Sequence, residues 1–323
     1  MIKQDKVFKT HVQQLKILKS RGLDIFPIYY NLNIIKRSNY YNLINGYSDL
    51  FLSIKNSGVY IKGSSLKEIY ELYTFDKRLR SLYLNEILRI EELVKSSIAY
   101  NFSMSFGYKD YDYLHRNNFT SYTDGIKNTD VNYLISKLTN NIWKSKNVQP
   151  YIKHYREEHN YVPLWVLVNS MTFGETSKFY SHMKHRERKL VSDTFNHNYP
   201  ISPKNFDNYL KTLGVFRNIL AHDERFYNFK KRNRYGKPYV IKFDGYLNLT
   251  EIDSSVASLT FILKLLLEPK DFNTFADQLT KEFMNLSEEL VTIDFQAVLN
   301  QMGFICPSSN INNLDDIVRI LKI

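Results

Sequence analysis

FDKRLRSLYLNEILRIEELVKSSIAYNFSMSFG, residues 75–107, decides the fold class. Phe75, Leu79, Leu82, Ile87, Ile90, Leu93, Val94 and Ile98 recur at the spacing of one helix face, and Leu72 extends the series upstream. Before it, SSLKE at 64–68 has the form of a capping box, with Ser64 or Ser65 at the cap and Glu68 near the third helical position. Gly107 supplies a stop. The spacing predicts helix over residues 66–105, as one rod or two abutting ones.

The same reading carries outward. Residues 5–20 read as a first helix, with Val12, Leu15 and Leu18 packing. RGLDIFP breaks it, and NYYNLINGY (39–47) follows as a short helix and turn. Beyond the polar loop HRNNFTSYTDGIKNTD (115–130), helices are expected near 130–146, 149–159, 163–172, 174–184 and 186–196. SPKNFDNYLKTLGVFRNILAH (202–222) is the next long one. NRYGKPYVIKFDGYL (233–247) reads as a β-hairpin, because of its Gly-Lys-Pro turn and the alternation after it. Helix returns at 251–267, 272–290 and 313–322. Trp165 is expected to anchor helix packing, and the PLWVL and MTFGE stretches to be core. The chain reads as all-α with one small β-hairpin. Three regions are expected: a basic N-terminal helical region at 1–62, a helical core at 63–270 and a C-terminal helical extension at 271–323.

Composition narrows the partners. The 323 residues carry 44 Lys and Arg against 33 Asp and Glu, a formal net charge of +11. In residues 1–62 the basic excess is ten to three. A polyanion, nucleic acid or an anionic membrane surface, is the natural partner of such a chain. No stretch approaches the ~18 apolar residues of a membrane span, and SLTFILKLLLEPK is interrupted by Lys264. The single cysteine, Cys306, excludes an internal disulfide framework and a cysteine-based zinc site, which points to the cytoplasm. Tyr is abundant, with 25 residues, and suits packing, hydrogen bonding and stacking on bases alike.

One constellation carries chemistry. In the helix 202–222, Phe206, Leu210, Leu213 and Leu220 face a core, and Arg217 lies on or beside that stripe. Asn218 and His222, four apart, share a face. Histidine titrates near neutrality and moves a proton, arginine grips a phosphate with two donors, and an amide orients either. These are the parts for cleaving RNA without a metal. The 2′-OH attacks the neighbouring phosphorus, a base takes its proton, an acid protonates the leaving 5′-oxygen, and arginine stabilises the charge on phosphorus. The same spacing is equally that of a helix end with an Arg–Glu pair.

RNILAHDERFYN (217–228) resembles the R-N-x-x-A-H-x-x-R-x-x-N signature of the abortive-infection D/F (Abi-like) family, within the HEPN superfamily. QLKILKSRGLDI (14–25), NYYNLINGY (39–47), the 75–107 stretch and YIKHYREEHNYVPLWVLVNSMTFGETSKFYSHM (151–183) resemble further blocks of it, covering roughly residues 8–230. The resemblance implies a HEPN-type up-and-down helical bundle, with the N- and C-terminal regions as extensions. It implies a metal-independent endoribonuclease of phage defence that needs no cofactor. It also implies a homodimer, since one Arg-x4-His motif per chain needs a second protomer for a two-motif site. A structured RNA that restrains the enzyme, as in toxin–antitoxin systems, is a further expected partner. Carried onto this chain, Arg217 binds the scissile phosphate, Asn218 supports it, and His222 is the acid or base. Arg225 and Asn228 support the site or the RNA. Glu91 and Lys95 match a Glu-x3-Arg pair, with lysine as a departure that loses the planar fork. Glu91 would hold the Arg217 guanidinium; the plain alternative is an exposed i,i+4 ion pair.

Residues 225–242, RFYNFKKRNRYGKPYVIK, hold seven Lys and Arg and no acid, interleaved with Phe226, Tyr227, Phe229, Tyr235 and Tyr239. The strip offers charges for phosphates and rings for bases, with Lys230, Lys231, Arg232, Arg234, Tyr235 and Lys237 as candidate RNA contacts. Arg186 and Arg188, in KHRERK, form a second basic run. His154 with His159, and His182 with His185, lack a metal-binding order, and no metal is expected. The rival functions are a non-cleaving RNA-binding sensor or scaffold of a phage-defence system, and a protein-interaction module.

Overall fold

The computed structural model describes residues 7–54, 57–120, 128–145, 147–197, 199–222, 224–243, 251–304 and 314–322. In chain order the helices are α1 (His11–Ser20), α2 (Ile28–Arg37), α3 (Tyr40–Tyr47), α4 (Leu66–Phe106), α5 (Asp110–Tyr113), α6 (Asn128–Trp143), α7 (Pro150–His159) and α8 (Leu164–Leu167). There follow α9 (Phe173–His182), α10 (His185–Asp193), α11 (Pro203–Ala221), α12 (Val256–Leu266), α13 (Pro269–Glu289), α14 (Phe295–Met302) and α15 (Leu314–Lys322). Strands β1 (Val240–Lys242) and β2 (Glu251–Asp253) pair antiparallel, Ile241 opposite Ile252. The protein is all-α with one small β-hairpin. Among the described residues, no helix is long and apolar enough to cross a membrane.

Ser65 opens α4 as the sequence predicts. Its N–H donates to Glu68 Oε2 at 3.0 Å, and its hydroxyl accepts from the Glu68 N–H at 3.2 Å, the reciprocal pairing of a capping box. The other oxygen of Glu68 accepts from the Val291 and Thr292 N–H groups at 2.9 and 2.7 Å. One carboxylate thus starts α4 and holds the turn after α13. The helix is a single rod of 41 residues. It stops at Gly107, where φ is +92° and an added Cβ would lie 2.8 Å from Asp112 Oδ2. Its buried stripe is Leu66, Ile69, Leu72, Phe75, Leu79, Tyr83, Ile87, Ile90, Val94, Ile98 and Phe102. Burying each such side chain stabilises by about 1.5–3 kcal/mol relative to exposure. Leu93 and Val12, expected in the core, are 42% and 51% exposed; Tyr83, with its hydroxyl 2.6 Å from Thr260 Oγ1, continues the stripe instead.

The chain divides into two compact units, residues 1–82, 223–229 and 273–323, and residues 83–222 and 230–272. In the first, Phe283 gathers the rings of Phe75, Phe295 and Phe304. Asp76, fully buried, is the polar centre of this unit. It accepts from Tyr47 Oη at 2.6 Å, Phe226 N–H at 3.1 Å and Tyr227 N–H at 2.6 Å. Arg80 lies 3.6 Å from its carboxylate and donates to the Glu224 carbonyl at 2.9 Å.

In the second unit, α12 is the inner helix, with ten of its eleven residues buried. A helix apolar nearly all round belongs inside a core, and this is where SLTFILKLLLEPK goes. Helix α11 packs on α9, α10, α12 and β1. The Tyr209 hydroxyl donates to the Lys242 carbonyl at 3.0 Å and fixes β1 over α11.

Several expectations are corrected. Residues 251–253 are strand, not the start of a helix; helix begins only at Val256, after Ser255, whose N–H donates to Ser258 Oγ at 2.9 Å. Residues 163–172 form a four-residue α-helix and a 3-10 turn rather than one helix. Trp165 is 49% exposed and anchors no helix packing in the core, although its neighbours Leu164, Val166 and Leu167 are buried. The Gly-Lys-Pro turn does not join β1 to β2; it closes a smaller loop bridged by Arg232 and Pro238, with Asn233 Oδ1 accepting from Tyr235 and Lys237 N–H. Cys306, the loop residues 121–127 and the connection 244–250 between the strands lie outside the described residues.

Candidate active site at the end of helix α11

Pro203 starts α11 with its φ preset, and Ser202 Oγ accepts from the Asn205 N–H at 3.3 Å. Phe206, Leu210, Leu213, Phe216 and Leu220 are buried beneath it. The helix ends at Ala221. His222 leaves helical geometry (φ −95°, ψ 14°) while its N–H still reaches the Asn218 carbonyl at 3.0 Å. Asn218 and His222 are both exposed, one turn apart.

Arg217 stands on the flank of the stripe. Its Nε lies 3.9 Å from Glu91 Oε2, and Lys95 Nζ lies 2.7 Å from Glu91 Oε1. Glu91 is 8% exposed, whereas the Arg217 side chain is 37% exposed. The structure thus brings Glu91, Lys95 and Arg217 together across α4 and α11. The Arg217–Glu91 interaction is an ion pair and not a hydrogen bond: Arg217 Nε and Glu91 Oε2 are both buried and neither has a hydrogen-bond partner. A guanidinium oriented by one carboxylate, but not bonded by it, keeps its donors for an anion arriving from solvent.

Each member of this pair lines a groove of its own. One, of about 470 Å³, is bounded by α9 and α11 and includes Arg217, Asn218, Lys178, Lys211 and Gly214. The other, of about 860 Å³, runs along α4 and includes Glu91, Lys95, Tyr100, Tyr108 and Trp165. Sequence reading missed Lys178 and Lys211, which look like ordinary surface lysines. It also missed Tyr100, whose signal was an aromatic off the buried stripe of α4.

The remaining candidates have surroundings of their own. Arg225 belongs to the first unit, where its guanidinium bonds the Gly46 carbonyl and lies 3.8 Å from Asp49. Asn228 is half-buried in that unit. Phe226 and Tyr227, expected in the aromatic strip, are wholly buried on Asp76 and Tyr47, so neither ring can stack on a base. Lys230, Arg232, Arg234, Tyr235 and Lys237 are exposed, with the Arg234 guanidinium 4.7 Å from the Tyr235 ring centre. Lys231 is half-buried, 3.7 Å from the Tyr239 ring centre, and its ammonium is held below its usual range by burial and then by Lys211. On α10, Arg186 is exposed and Arg188 is half-buried.

No curated protein and no solved structure matches the chain. Residues 33–228 match the family model described as Abi-like protein, a span that takes in Glu91, Lys95, Arg217, Asn218, His222, Arg225 and Asn228. With more than half of its length matched, the chain belongs to the Abi-like protein family.

Proposed function

We propose that this protein is a metal-independent HEPN endoribonuclease acting in abortive-infection phage defence. Membership of the Abi-like family supports the defence role. The observation that carries the chemistry is the Arg217–Glu91–Lys95 cluster, with the exposed His222 five residues after Arg217 at the end of α11. Arg217 binds the scissile phosphate and stabilises the charge on phosphorus. The ribose 2′-oxygen bonds to phosphorus, the P–O5′ bond breaks, and the products are a 2′,3′-cyclic phosphate and a 5′-hydroxyl. His222 transfers a proton, and Asn218 orients the phosphate or the nucleophile.

Each chain offers one such histidine, whereas the reaction moves two protons. A homodimer pairing two motifs would supply both acid and base. Lys230, Arg232, Arg234, Tyr235 and Lys237 bind RNA outside the site, and a structured RNA that occupies them would restrain the enzyme in the cytoplasm. Purified wild-type protein incubated with cellular RNA and EDTA should leave 2′,3′-cyclic phosphate ends. His222→Ala should lower the rate by at least about 100-fold. Equal cleavage by both proteins would remove His222 from the mechanism, and RNA binding without cleavage by either would favour a sensor or scaffold.

A further inference from the structure

We propose that the groove along α4 is a nucleobase subsite, and that it selects an unpaired base with N–H donors, guanine first and uracil last. The inference rests on the endoribonuclease reading above. Three aromatic side chains line the groove while remaining open to solvent: Tyr100 at 69%, Trp165 at 49% and Tyr108 at 42%. Tyr108 and Trp165 stack at 5.6 Å with their planes 29° apart. Both lie in the second unit, far apart in sequence, and neither fills its core. Exposed aromatic faces in a concave site are the platform on which unpaired bases stack.

The charges on the two grooves sort a nucleotide into its parts. The α9–α11 groove carries Lys178, Lys211 and Arg217, which suits phosphates. The α4 groove mixes Glu91 and Glu92 with Lys95, which does not. Its volume of about 860 Å³ is within the usual range of small-ligand sites. Glu91 is engaged by Lys95 and Arg217, whereas Glu92 is exposed. A free carboxylate beside a stacked base accepts from Watson–Crick N–H groups. Guanine offers N1–H and N2–H side by side. Uracil offers a single N3–H between two carbonyl oxygens that repel a carboxylate. With Arg217 on the phosphate, the base in the groove is the one next to the cleaved linkage.

The test uses His222→Ala protein, so that binding is read without cleavage. Fluorescence anisotropy compares a labelled all-uridine 12-mer with the same oligomer carrying one central G, A or C. The G oligomer should bind roughly 5- to 100-fold tighter than all-U. Adding Trp165→Ala should weaken the G oligomer by a similar factor. Tyr100→Ala, at a more exposed position, should act in the same direction, which guards against a folding defect in the tryptophan variant. Glu92→Gln should abolish the preference for G. Unchanged affinity in both aromatic variants, or a G preference that survives Glu92→Gln, overturns the proposal. So does a Trp165→Ala protein that sediments as a smaller species with RNA affinity intact, because the groove would then hold a second copy of the chain. Base-dependent binding by a protein whose wild type never cuts RNA would sink the nuclease reading and leave the subsite standing; His222-dependent cleavage with an indifferent groove would do the reverse.

Discussion

Removing the Asp76 carboxylate should cost more stability than truncating any other polar side chain of the first unit. The side chain is fully buried, and burial drives its pKa above the usual carboxylate value despite the bonds from Tyr47, Phe226 and Tyr227 and the nearby Arg80. The carboxylate is therefore not free stabilisation: its ionised form pays for desolvation. The damage comes from what its removal leaves behind. In Asp76→Ala, the Tyr47 hydroxyl and two backbone N–H groups lose their acceptor, each at about 1–3 kcal/mol. Arg80 keeps the Glu224 carbonyl. Allowing for non-additivity, the loss should be about 3–5 kcal/mol. Asp76→Asn keeps one acceptor oxygen and should lose about 2–3 kcal/mol; Tyr47→Phe removes one donor and should lose about 1 kcal/mol. Urea unfolding followed by far-UV circular dichroism measures all three through the midpoint at constant slope. Both tryptophans, Trp143 and Trp165, lie in the second unit, so their fluorescence follows that unit separately. The series also has a pH signature. With the folded pKa raised, the contribution of Asp76 is fully present below its unfolded value near 3.9 and declines as pH rises through the folded value. Asp76→Asn should flatten that decline. An Asp76→Ala protein within 1 kcal/mol of wild type would refute the reasoning.

Four further outcomes are expected. Glu91→Gln removes an attraction of about 4 kcal/mol gross at 3.9 Å and an effective dielectric of 20, cut by the exposure of Arg217 to about 1 kcal/mol net; the rate of RNA cleavage should fall about fivefold, and an unchanged rate would take this pair out of the mechanism. Gly107→Ala, forced to φ +92° with its Cβ on Asp112, should destabilise by about 1–3 kcal/mol in thermal unfolding. Burial pushes the Glu175 pKa up, but the Thr172 N–H and Lys137 outweigh it and hold the carboxyl below the usual range. Its stabilisation is present above pH ~4.5 and is lost as pH falls through the lowered value, so Glu175→Gln should shrink the acid-side loss of stability. Neutralising Lys230, Arg232, Arg234 and Lys237 together should make log affinity for single-stranded RNA less steep in log salt, by about 0.7 for each phosphate that these side chains neutralise; an unchanged slope would take RNA off this strip.

Local signals in the sequence were the legible ones. The Ser65–Glu68 cap, the stop at Gly107 and the Pro203 start are each decided within a few residues, and the structure keeps all three. Failure began where neighbours distant in sequence decide. EIDSS leads straight into VASLTFIL, and only pairing with β1 makes residues 251–253 a strand. Phe226 and Tyr227 look like exposed rings in a basic strip until Asp76, 150 residues upstream, captures their backbone. The α4 groove needs Tyr100 and Trp165 in one place, and no motif links them. By contrast, the Glu91–Arg217 pairing spans the same kind of distance, yet the family pattern pointed to it.

Neither unit is a continuous stretch of chain: the first draws on residues 273–323, and the second on residues 230–272. Helix α11, which carries Arg217, packs on α12, made some forty residues later. During synthesis at roughly 5–20 residues per second, the 44 residues from His222 to the end of α12 at Leu266 take about 2–9 s. For that interval α11 has no α12 to pack on. A truncated product ending before α12 would carry the Arg217–His222 motif on a helix without that support.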